Sequence, residues 1–252
     1  MIRIGTAGWS IPRDQAAAFP AEGTHLERYA RVLPCAEINS SFKRPHRREI
    51  YAKWAAQTPR TFRFAVKLPR EITHQTRLRG ARSSIADFLE QVGGLGRRLG
   101  PLLVQLPPSL DFEARIAGRF FALMRQLHTG GIVCEPRHPS WFSAAAESLL
   151  VRHRIARVAA DPAVMPEAAL PAGDRTIAYF RLHGSPRMYW SRYDATQLDA
   201  WIERMLQSKE QSEVWCVFDN TAGNFALDNA LALSVGVNAA RRPRGAALKR
   251  RR

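Results

Sequence analysis

The chain has 252 residues, of which 46% are hydrophobic and 24% charged, with 38 Lys+Arg against 22 Asp+Glu and a formal net charge of +16. This composition is typical of a folded soluble protein and excludes wholesale disorder. No stretch reaches the roughly 18 uninterrupted apolar residues that a membrane-spanning helix needs, so we expect none. Three cysteines without C-x-x-C spacing argue against a disulfide framework or a structural zinc site. The N-terminus has no apolar signal-peptide region, so we expect a cytoplasmic protein without membrane contact.

Short apolar segments recur along the chain in the pattern of buried β-strands. Eight strands are predicted, beginning at Ile2, Cys35, Phe62, Leu102, Ile132, Ala156, Ile177 and Val214. Helical patterns separate them and follow the last one. The predicted helices cover residues 25–32, 46–57, 84–99, 113–127, 141–154, 195–208 and 225–235.

Capping residues support several of these helices. Helix N-caps are expected at Thr24, Asp111, Ser140 and Asp194. Gly100, which precedes Pro101, is expected to stop the helix before it.

Eight strand–helix units of about 30 residues predict the α/β class, and within it a single (β/α)8 TIM barrel over residues 1–238. Three prolines in segment 161–175 predict that the sixth helix is short or replaced by a loop. A doubly wound sheet is the alternative, but no glycine-rich phosphate-binding turn follows the first strand. Residues 239–252 are expected to form a disordered basic tail, which either anchors an anionic surface such as nucleic acid or only aids solubility.

The predicted strands repeatedly end in ionisable or amide side chains. In a barrel the C-terminal strand ends form one rim, where active sites are built, so we expect an active site there. The candidates for catalysis are Glu37, Lys67, Glu135, His138, Asp161, His183 and Asp219. The candidates for substrate binding are Trp9, Asn39, Gln105, Arg137, Arg181, Arg187, Tyr189, Trp190 and Asn220.

Each group of candidates has a second interpretation. A divalent metal ion is one cofactor that this rim could hold, with ligands drawn from Glu135, His138, Asp161 and His183. Alternatively, a buried ion-pair network that only closes the barrel top could comprise Glu37, Glu135, Arg137 and Arg181. Tyr189 and Trp190 either stack on a base or sugar or pack as a lid. The Asp219–Asn224 turn at the start of the last helix suits an anion.

Seven ordered segments resemble the YecE-like family, domain of unknown function 72, over almost all of residues 2–235. They are G-T-A-G-W-S from Gly5, E-I-N-S-S-F from Glu37, F-R-F-A-V-K-L-P-R-E-I-T-H from Phe62, L-G-P-L-L-V-Q-L-P-P-S from Leu99, E-P-R-H-P-S-W-F from Glu135, F-R-L-H-G from Phe180 and F-D-N-T-A-G-N-F-A-L-D-N-A from Phe218. The resemblance implies a TIM barrel with a site at the strand C-termini, and a weaker likeness in architecture to metal-dependent barrels such as endonuclease IV and xylose isomerase. It implies no established activity.

The chain departs from the family's usual residues at four positions, which are Ile11, Lys43, Pro136 and Asp219. Lys43 makes the loop after the second strand more basic, which favours an anionic ligand. Asp219 adds an acid to the rim and favours the metal interpretation.

Three functions follow from these features. The first is an enzyme acting on a phosphorylated or nucleic-acid-like anion, with metal-assisted phosphodiester hydrolysis as one reaction class. The second is a non-catalytic module whose basic residues bind nucleic acid, and whose affinity would depend strongly on salt. The third is a metal-free, sugar-active or lyase-type barrel that uses Lys67 as a base.

Overall fold

Alternating apolar residues fold into the strands of one barrel sheet. In the computed structural model, which describes residues 1–241, ten strands form: β1 (Ile2–Ala7), β2 (Cys35–Ile38), β3 (Arg63–Lys67), β4 (Leu99–Gln105), β5 (Ile132–Glu135), β6 (Ala156–Arg157), β7 (Ala159–Asp161), β8 (Ala172–Gly173), β9 (Ile177–Leu182) and β10 (Glu213–Phe218). The same residues form seven α-helices: α1 (His25–Ala30), α2 (Arg48–Ala56), α3 (Arg82–Val92), α4 (Ala114–Leu127), α5 (Ala144–Arg152), α6 (Ala195–Ser208) and α7 (Ala226–Ala240).

The strands run parallel in the order β7-β9-β10-β1-β2-β3-β4-β5-β6, and only the short β8 is antiparallel. The sixth predicted strand is split at Val158 into β6, which pairs with β5, and β7, which pairs with β9. The backbone passes from β6 to β7 through Val158 and so links the two ends of the sheet, and the Val158 N–H donates to the Cys134 carbonyl in β5 at 2.8 Å. The predicted TIM-like α/β barrel is therefore confirmed.

Two apolar clusters fill the space on either side of the strands. The larger cluster lies between the strands and the surrounding helices. The smaller one fills the barrel interior and comprises Cys35, Ala65, Leu103, Val133, Ala156, Val158, Tyr179, Trp215 and Val217. Side chains alternate between the two faces along each strand, so the inward positions of one strand are two residues apart.

Two of the four predicted N-caps are confirmed. Thr24 and Asp194 each accept a backbone hydrogen bond at the start of α1 and α6, and each takes part in a capping box. Asp111 is not a cap, because α4 begins at Ala114 after the uncapped Glu113. Ser140 is not the cap of α5 either. Its hydroxyl accepts from the Phe112 N–H at 2.7 Å, and Ser143 caps α5 instead.

The helix predicted over residues 84–99 is wrong at its C-terminal end. Helix α3 ends at Val92, a 3-10 segment follows over Gly93–Arg98, and β4 begins at Leu99. Gly100 is therefore a strand residue and not a helix stop. A Cβ at this position would lie 2.6 Å from the indole ring of Trp215, so the glycine makes room for the largest side chain inside the barrel.

The sixth unit is irregular, as its prolines predicted. Between β7 and β9 the described chain forms only the 3-10 turn Pro166–Ala169 and the two-residue β8. Most of the predicted basic tail, residues 242–252, lies outside the described residues. No helix within residues 1–241 is long and apolar enough to span a bilayer.

Candidate functional site

A layer of polar side chains lies above the apolar barrel interior, at the C-terminal ends of the strands. Each of these residues follows an inward-facing apolar residue by two positions and therefore points the same way. This polar layer consists of Glu37, Lys67, Gln105, Glu135, Arg181 and Asp219. The alternation of side chains along each strand therefore explains why the polar residues at the strand ends lie together on one rim.

Arg181 is the centre of the polar layer and is completely buried. Its Nε donates to Glu37 Oε2 at 2.9 Å and its Nη2 donates to Glu37 Oε1 at 2.6 Å, which is a bidentate pair. The same guanidinium donates to Glu135 at 2.9 Å and to Asp219 at 3.0 Å. Tyr179 also donates to Glu37, at 2.9 Å, so both oxygens of this buried carboxylate have partners.

Glu135 and Asp219 enclose His183 from both sides of its ring. The Nε2 atom lies 2.9 Å from Glu135 Oε1, and the Nδ1 atom lies 3.1 Å from Asp219 Oδ2. Arg137 adds a second cation to Glu135, with Nη2 at 2.5 Å from the same Oε1 atom. These contacts join Glu37, Glu135, Arg137, Arg181, His183 and Asp219 into one buried ion-pair network.

The network favours the ionised forms of Glu135 and Asp219 although both are buried. Burial alone would raise the pKa of Glu135, but Arg137, Arg181 and His183 outweigh it and hold that pKa well below its ordinary value. Burial would likewise lower the pKa of Arg181, but the surrounding carboxylates raise it above its ordinary value. The charges therefore stabilise each other inside the barrel.

Lys67 lies beside the network but does not join it. Its Nζ is 4.0 Å from the centre of the Phe42 ring, and it makes no ion pair or side-chain hydrogen bond with any residue in 1–241. Burial, and then the charge of Arg181, lower the pKa of Lys67 from 10.5 to about 8, against the opposing effect of the nearby carboxylates. An amine with a pKa near neutrality suits proton transfer.

Several polar atoms at this end of the barrel lack partners within the described residues. They are Arg137 Nε, Asn39 Oδ1 and Asn220 Oδ1. Asn39 donates to Asp219 Oδ1 through its Nδ2 atom at 3.4 Å, and Gln105 accepts from Arg181 at 3.4 Å. We refer to the part of the rim where Asn39, Lys67, Gln105, Arg137 and Asp219 lie as the mouth of the barrel.

The four candidate metal ligands are not brought together. Glu135 and His183 are in contact, but both oxygens of Glu135 already accept from guanidinium groups. His138 Nδ1 pairs with Ser140 at 2.8 Å, and Asp161 accepts from the Tyr193 hydroxyl at 2.6 Å. No group of three or more His, Cys, Asp or Glu in residues 1–241 is arranged to hold a metal ion. This donor set therefore does not fit a divalent cation.

The predicted aromatic residues occupy two different places. Trp9 packs edge-on against Trp54 and Phe64, in the outer cluster and away from the polar layer. Tyr189 lies edge-on to His183 at a centroid distance of 5.6 Å and covers it. Trp190 is about half exposed, with the Arg187 guanidinium 4.9 Å from its ring centre.

The loop after β10 is held by amide side chains. Asn220 is fully buried and donates to the Ser191 carbonyl at 3.0 Å and to Asn229 at 2.9 Å, which ties this loop to the loop after β9. Next to it a cavity of about 200 Å³ opens between the loops after β1 and β10, lined in part by Thr6, Ser10 and Thr221. Asn220 thus has a structural contact where a binding role was expected.

Four residues of the site were not among the sequence candidates. Tyr179 donates to Glu37, Phe42 lies under the Lys67 amine, His74 packs on Phe42, and Tyr193 holds Asp161. Strand alternation could have revealed Tyr179, because it precedes Arg181 by two positions in β9. The other three lie in loops or short helical turns, where no periodic pattern indicates direction.

Comparison with known proteins places the chain among relatives without an assigned activity. Residues 3–251 match the family described as "Protein of unknown function DUF72". The chain is 32% identical to UPF0759 protein YecE of Escherichia coli (strain K12) over 148 residues, which are 58% of this chain and only about half, 52%, of that protein. It is 24% identical to UPF0759 protein YunF of Bacillus subtilis (strain 168), over 91% of this chain and 92% of that one.

Solved structures agree on the fold. A DUF72 family protein from Enterococcus faecalis V583 superposes with a TM-score of 0.80 at 22% identity, covering 94% of this chain and 96% of that one. A DUF72 family protein from Thermotoga maritima MSB8 gives a TM-score of 0.78 at 23% identity, covering 94% and 99%. At these identities the likeness shows the fold alone.

Proposed function

The chain belongs to the DUF72 family, and from the polar groups at its barrel rim we propose that it is an enzyme that binds a small phosphorylated or nucleic-acid-like anion at the mouth of its barrel. Lys67 carries the proton transfer and Arg137 binds the anion. The observation that carries this proposal is that Arg137 Nε is buried without an acceptor among the described residues, and that the Lys67 amine faces the Phe42 ring and makes no ion pair there. An anionic ligand would supply the missing acceptors.

The exposed fraction of each side chain distinguishes the residues that can contact a substrate from the residues that only hold them in position. Glu37, Glu135, Arg181 and His183 are completely buried and bonded to one another, so they hold the mouth in shape. Lys67, Arg137 and Asp219 retain exposed fractions of 6–8%. We therefore assign substrate contact to these three, with Asn39 and Gln105, and positioning to the four completely buried residues of the network.

Acid–base chemistry by Lys67 fits this geometry better than metal-assisted hydrolysis. A general base needs a pKa near the working pH and a place within reach of the reacting atom. Lys67 meets the first condition with a pKa of about 8 and the second by its position at the end of β3. The carboxylates that a metal would need are already bound to arginine.

Binding of phosphate compounds tests the proposal. Calorimetric titration with inorganic phosphate, glycerol 3-phosphate and a nucleoside monophosphate is compared among the wild type, Arg137→Met and Arg60→Met. Arg60 is an exposed arginine that precedes β3 at the opposite end of the barrel, so it controls for the lost charge. We expect Arg137→Met to weaken binding at least tenfold, as loss of a charge-assisted hydrogen bond of roughly 1.5–3 kcal/mol implies. Equal binding by all three proteins would refute the proposal.

Turnover is tested separately with Lys67→Met. Phosphorus NMR follows each phosphate compound in the presence of the enzyme, and we expect any conversion to stop in the variant while phosphate binding to Arg137 persists. Conversion at an unchanged rate in Lys67→Met would show that the Lys67 amine does not carry the proton transfer.

A second candidate function is the binding of nucleic acid by the outer surface. Exposed basic side chains follow β2 and β3, on the same end of the barrel as the mouth. They are Lys43, Arg44, Arg47 and Arg70. Such residues neutralise backbone phosphates without reading sequence, so binding would be strongly dependent on salt.

A further inference from the structure

We propose that Lys67 is a covalent centre: its Nζ forms an imine with the carbonyl carbon of a small anionic aldehyde or ketone bound at the mouth. This inference rests on the proposed function. It adds the chemical class of the substrate and the bond that forms.

The amine is available because the neighbouring carboxylates are already occupied. Both oxygens of Glu37 accept from Arg181, and those of Glu135 accept from Arg137 and Arg181. Lys67 instead lies over the apolar face of Phe42, at 4.0 Å from the ring centre. A buried lysine with an acidic partner would be held as an ammonium ion, whereas this arrangement leaves a nitrogen that can lose its proton.

Lysine is rare in this chain compared with arginine. Only five of its 38 basic residues are lysines, and Lys67 is buried whereas Lys43 and Lys53 are exposed. Arginine cannot be deprotonated in proteins, so the many arginines of the chain cannot serve as amine nucleophiles. A lysine beside this network therefore brings a reactivity that the neighbouring arginines lack.

The backbone of Lys67 is held firmly on both sides. Its register partner in β4 is Leu103, and its carbonyl accepts from the Ser41 hydroxyl at 2.7 Å. Groups on regular strands keep their position better than groups on loops, as covalent chemistry requires. The stem of the side chain therefore starts from a fixed point beneath the mouth.

The surrounding charges set the proton equilibrium of this amine. Burial, and then the charge of Arg181 from β9, lower the pKa of Lys67 to about 8, while Glu37 from β2, Glu135 from β5 and Asp219 following β10 oppose them. His74, whose own pKa is lowered by burial and by Lys67, faces the amine from the turn after β3. About half of the molecules thus carry a neutral amine near pH 8, where nucleophilic attack becomes efficient.

The remaining unpartnered groups suit the rest of the substrate. Arg137 Nε is a buried cationic donor for a phosphate or carboxylate, and Asn39 Oδ1 is a buried acceptor for a hydroxyl group. Both lie at the same barrel end as Lys67. The site therefore combines an amine, an anion donor and a hydroxyl acceptor, which matches a phosphorylated hydroxy-ketone.

The step balances without a co-reactant. The neutral amine attacks the carbonyl carbon, the C–N bond forms, and the carbonyl oxygen takes a proton to give a carbinolamine. The oxygen then leaves as water with both protons of the original amine, and one solvent proton remains on the iminium nitrogen. The resulting positive charge lies close to the carboxylates of the network.

Reductive trapping tests the imine. The full-length protein is incubated at pH 8 with sodium cyanoborohydride and dihydroxyacetone phosphate, or with dihydroxyacetone as the same ketone without the anion. A reduced imine adds the mass of the probe minus one oxygen atom, and peptide mapping locates it among the five lysines. The controls are Lys67→Arg, which keeps the charge but not the amine, and Lys43→Arg at an exposed lysine.

We expect one adduct, on Lys67, in the wild type and in Lys43→Arg but not in Lys67→Arg. It should form at least tenfold faster with the phosphate than without it, the ratio expected from one charge-assisted hydrogen bond. Phosphate binding without an adduct on Lys67 overturns the imine and leaves the proposed function intact. Equal labelling of Lys43 and Lys67, or equal rates with both probes, also overturns it. Absence of both phosphate binding and adduct overturns both proposals.

Discussion

Arg181 holds Glu37 through two hydrogen bonds of 2.9 and 2.6 Å, although both side chains are completely buried in the barrel. A buried ion pair of this kind contributes little net stability compared with apolar residues, but breaking it leaves one charge without compensation. The same guanidinium also holds Glu135 and Asp219, so the pair fixes the positions of the residues around the mouth.

Glu37→Gln should therefore lower the free energy of unfolding by about 3 kcal/mol, because the buried Arg181 then lacks one of its counter-charges. Urea unfolding at pH 7 measures this change. The matched control is Glu90→Gln, which removes an exposed partner of Arg48 and should change stability by less than about 1 kcal/mol. Equal small effects of the two substitutions would show that the buried pair is dispensable for the fold.

Lys67→Met should stabilise the protein at neutral pH. A pKa lowered from 10.5 to about 8 corresponds to about 3 kcal/mol of destabilisation when the amine is charged. Below pH 8 the amine is protonated in both states and this cost is complete. Between pH 8 and 10.5 the unfolded chain binds more protons than the folded one, so wild-type stability rises with pH and the advantage of the variant shrinks.

Urea unfolding of the wild type and Lys67→Met at pH 7, 8, 9 and 10 measures this difference, and other titrating groups cancel in the comparison. Lys43→Met, at an exposed position, should show no such dependence. A variant less stable than the wild type at pH 7 would mean that the ammonium has a stabilising partner.

Tyr193→Phe should loosen the loop between β9 and α6. The buried Tyr193 hydroxyl donates to Asp161 at 2.6 Å and accepts from the Gly184 N–H at 2.9 Å, so its removal leaves two polar groups unpaired. We expect a loss of about 1–3 kcal/mol in unfolding free energy and faster amide exchange in residues 184–192. Tyr189→Phe is the control, because its hydroxyl has no hydrogen bond within residues 1–241. Unchanged exchange in Tyr193→Phe would contradict the assigned contact.

If the outer surface binds nucleic acid, affinity should fall linearly with the logarithm of salt concentration. Deleting residues 241–252 removes seven basic residues and should reduce the salt slope for a single-stranded oligonucleotide by up to about 5, at roughly 0.7 per phosphate contact. Fluorescence anisotropy at several salt concentrations measures the slope. Binding that is independent of salt, or absent, would exclude this second candidate function.

Much of this protein could be predicted from the order of its residues. Strand positions, the barrel class, the irregular sixth unit and the rim location of Glu37, Lys67 and Arg181 all follow from short-range periodicity. Alternation has a period of two residues, so an apolar interior position followed two residues later by an acid or base predicts a polar layer above the core. Gly100 was misassigned because its role depends on Trp215, more than a hundred residues away.

Tertiary structure alone decided which of the predicted polar residues are paired. The ion pair between Arg181 and Glu37 joins positions 144 residues apart in the sequence. No local sequence pattern indicates that Arg181 forms ion pairs with Glu37, Glu135 and Asp219 at the same time. The same contacts leave Lys67 without a carboxylate. Sequence therefore determined which chemical groups reach the barrel rim, because backbone periodicity is local. The fold determined which of these groups form ion pairs with one another, because the paired residues come from strands that meet only when the barrel closes. The groups that are left without an ion pair are the ones available to a ligand.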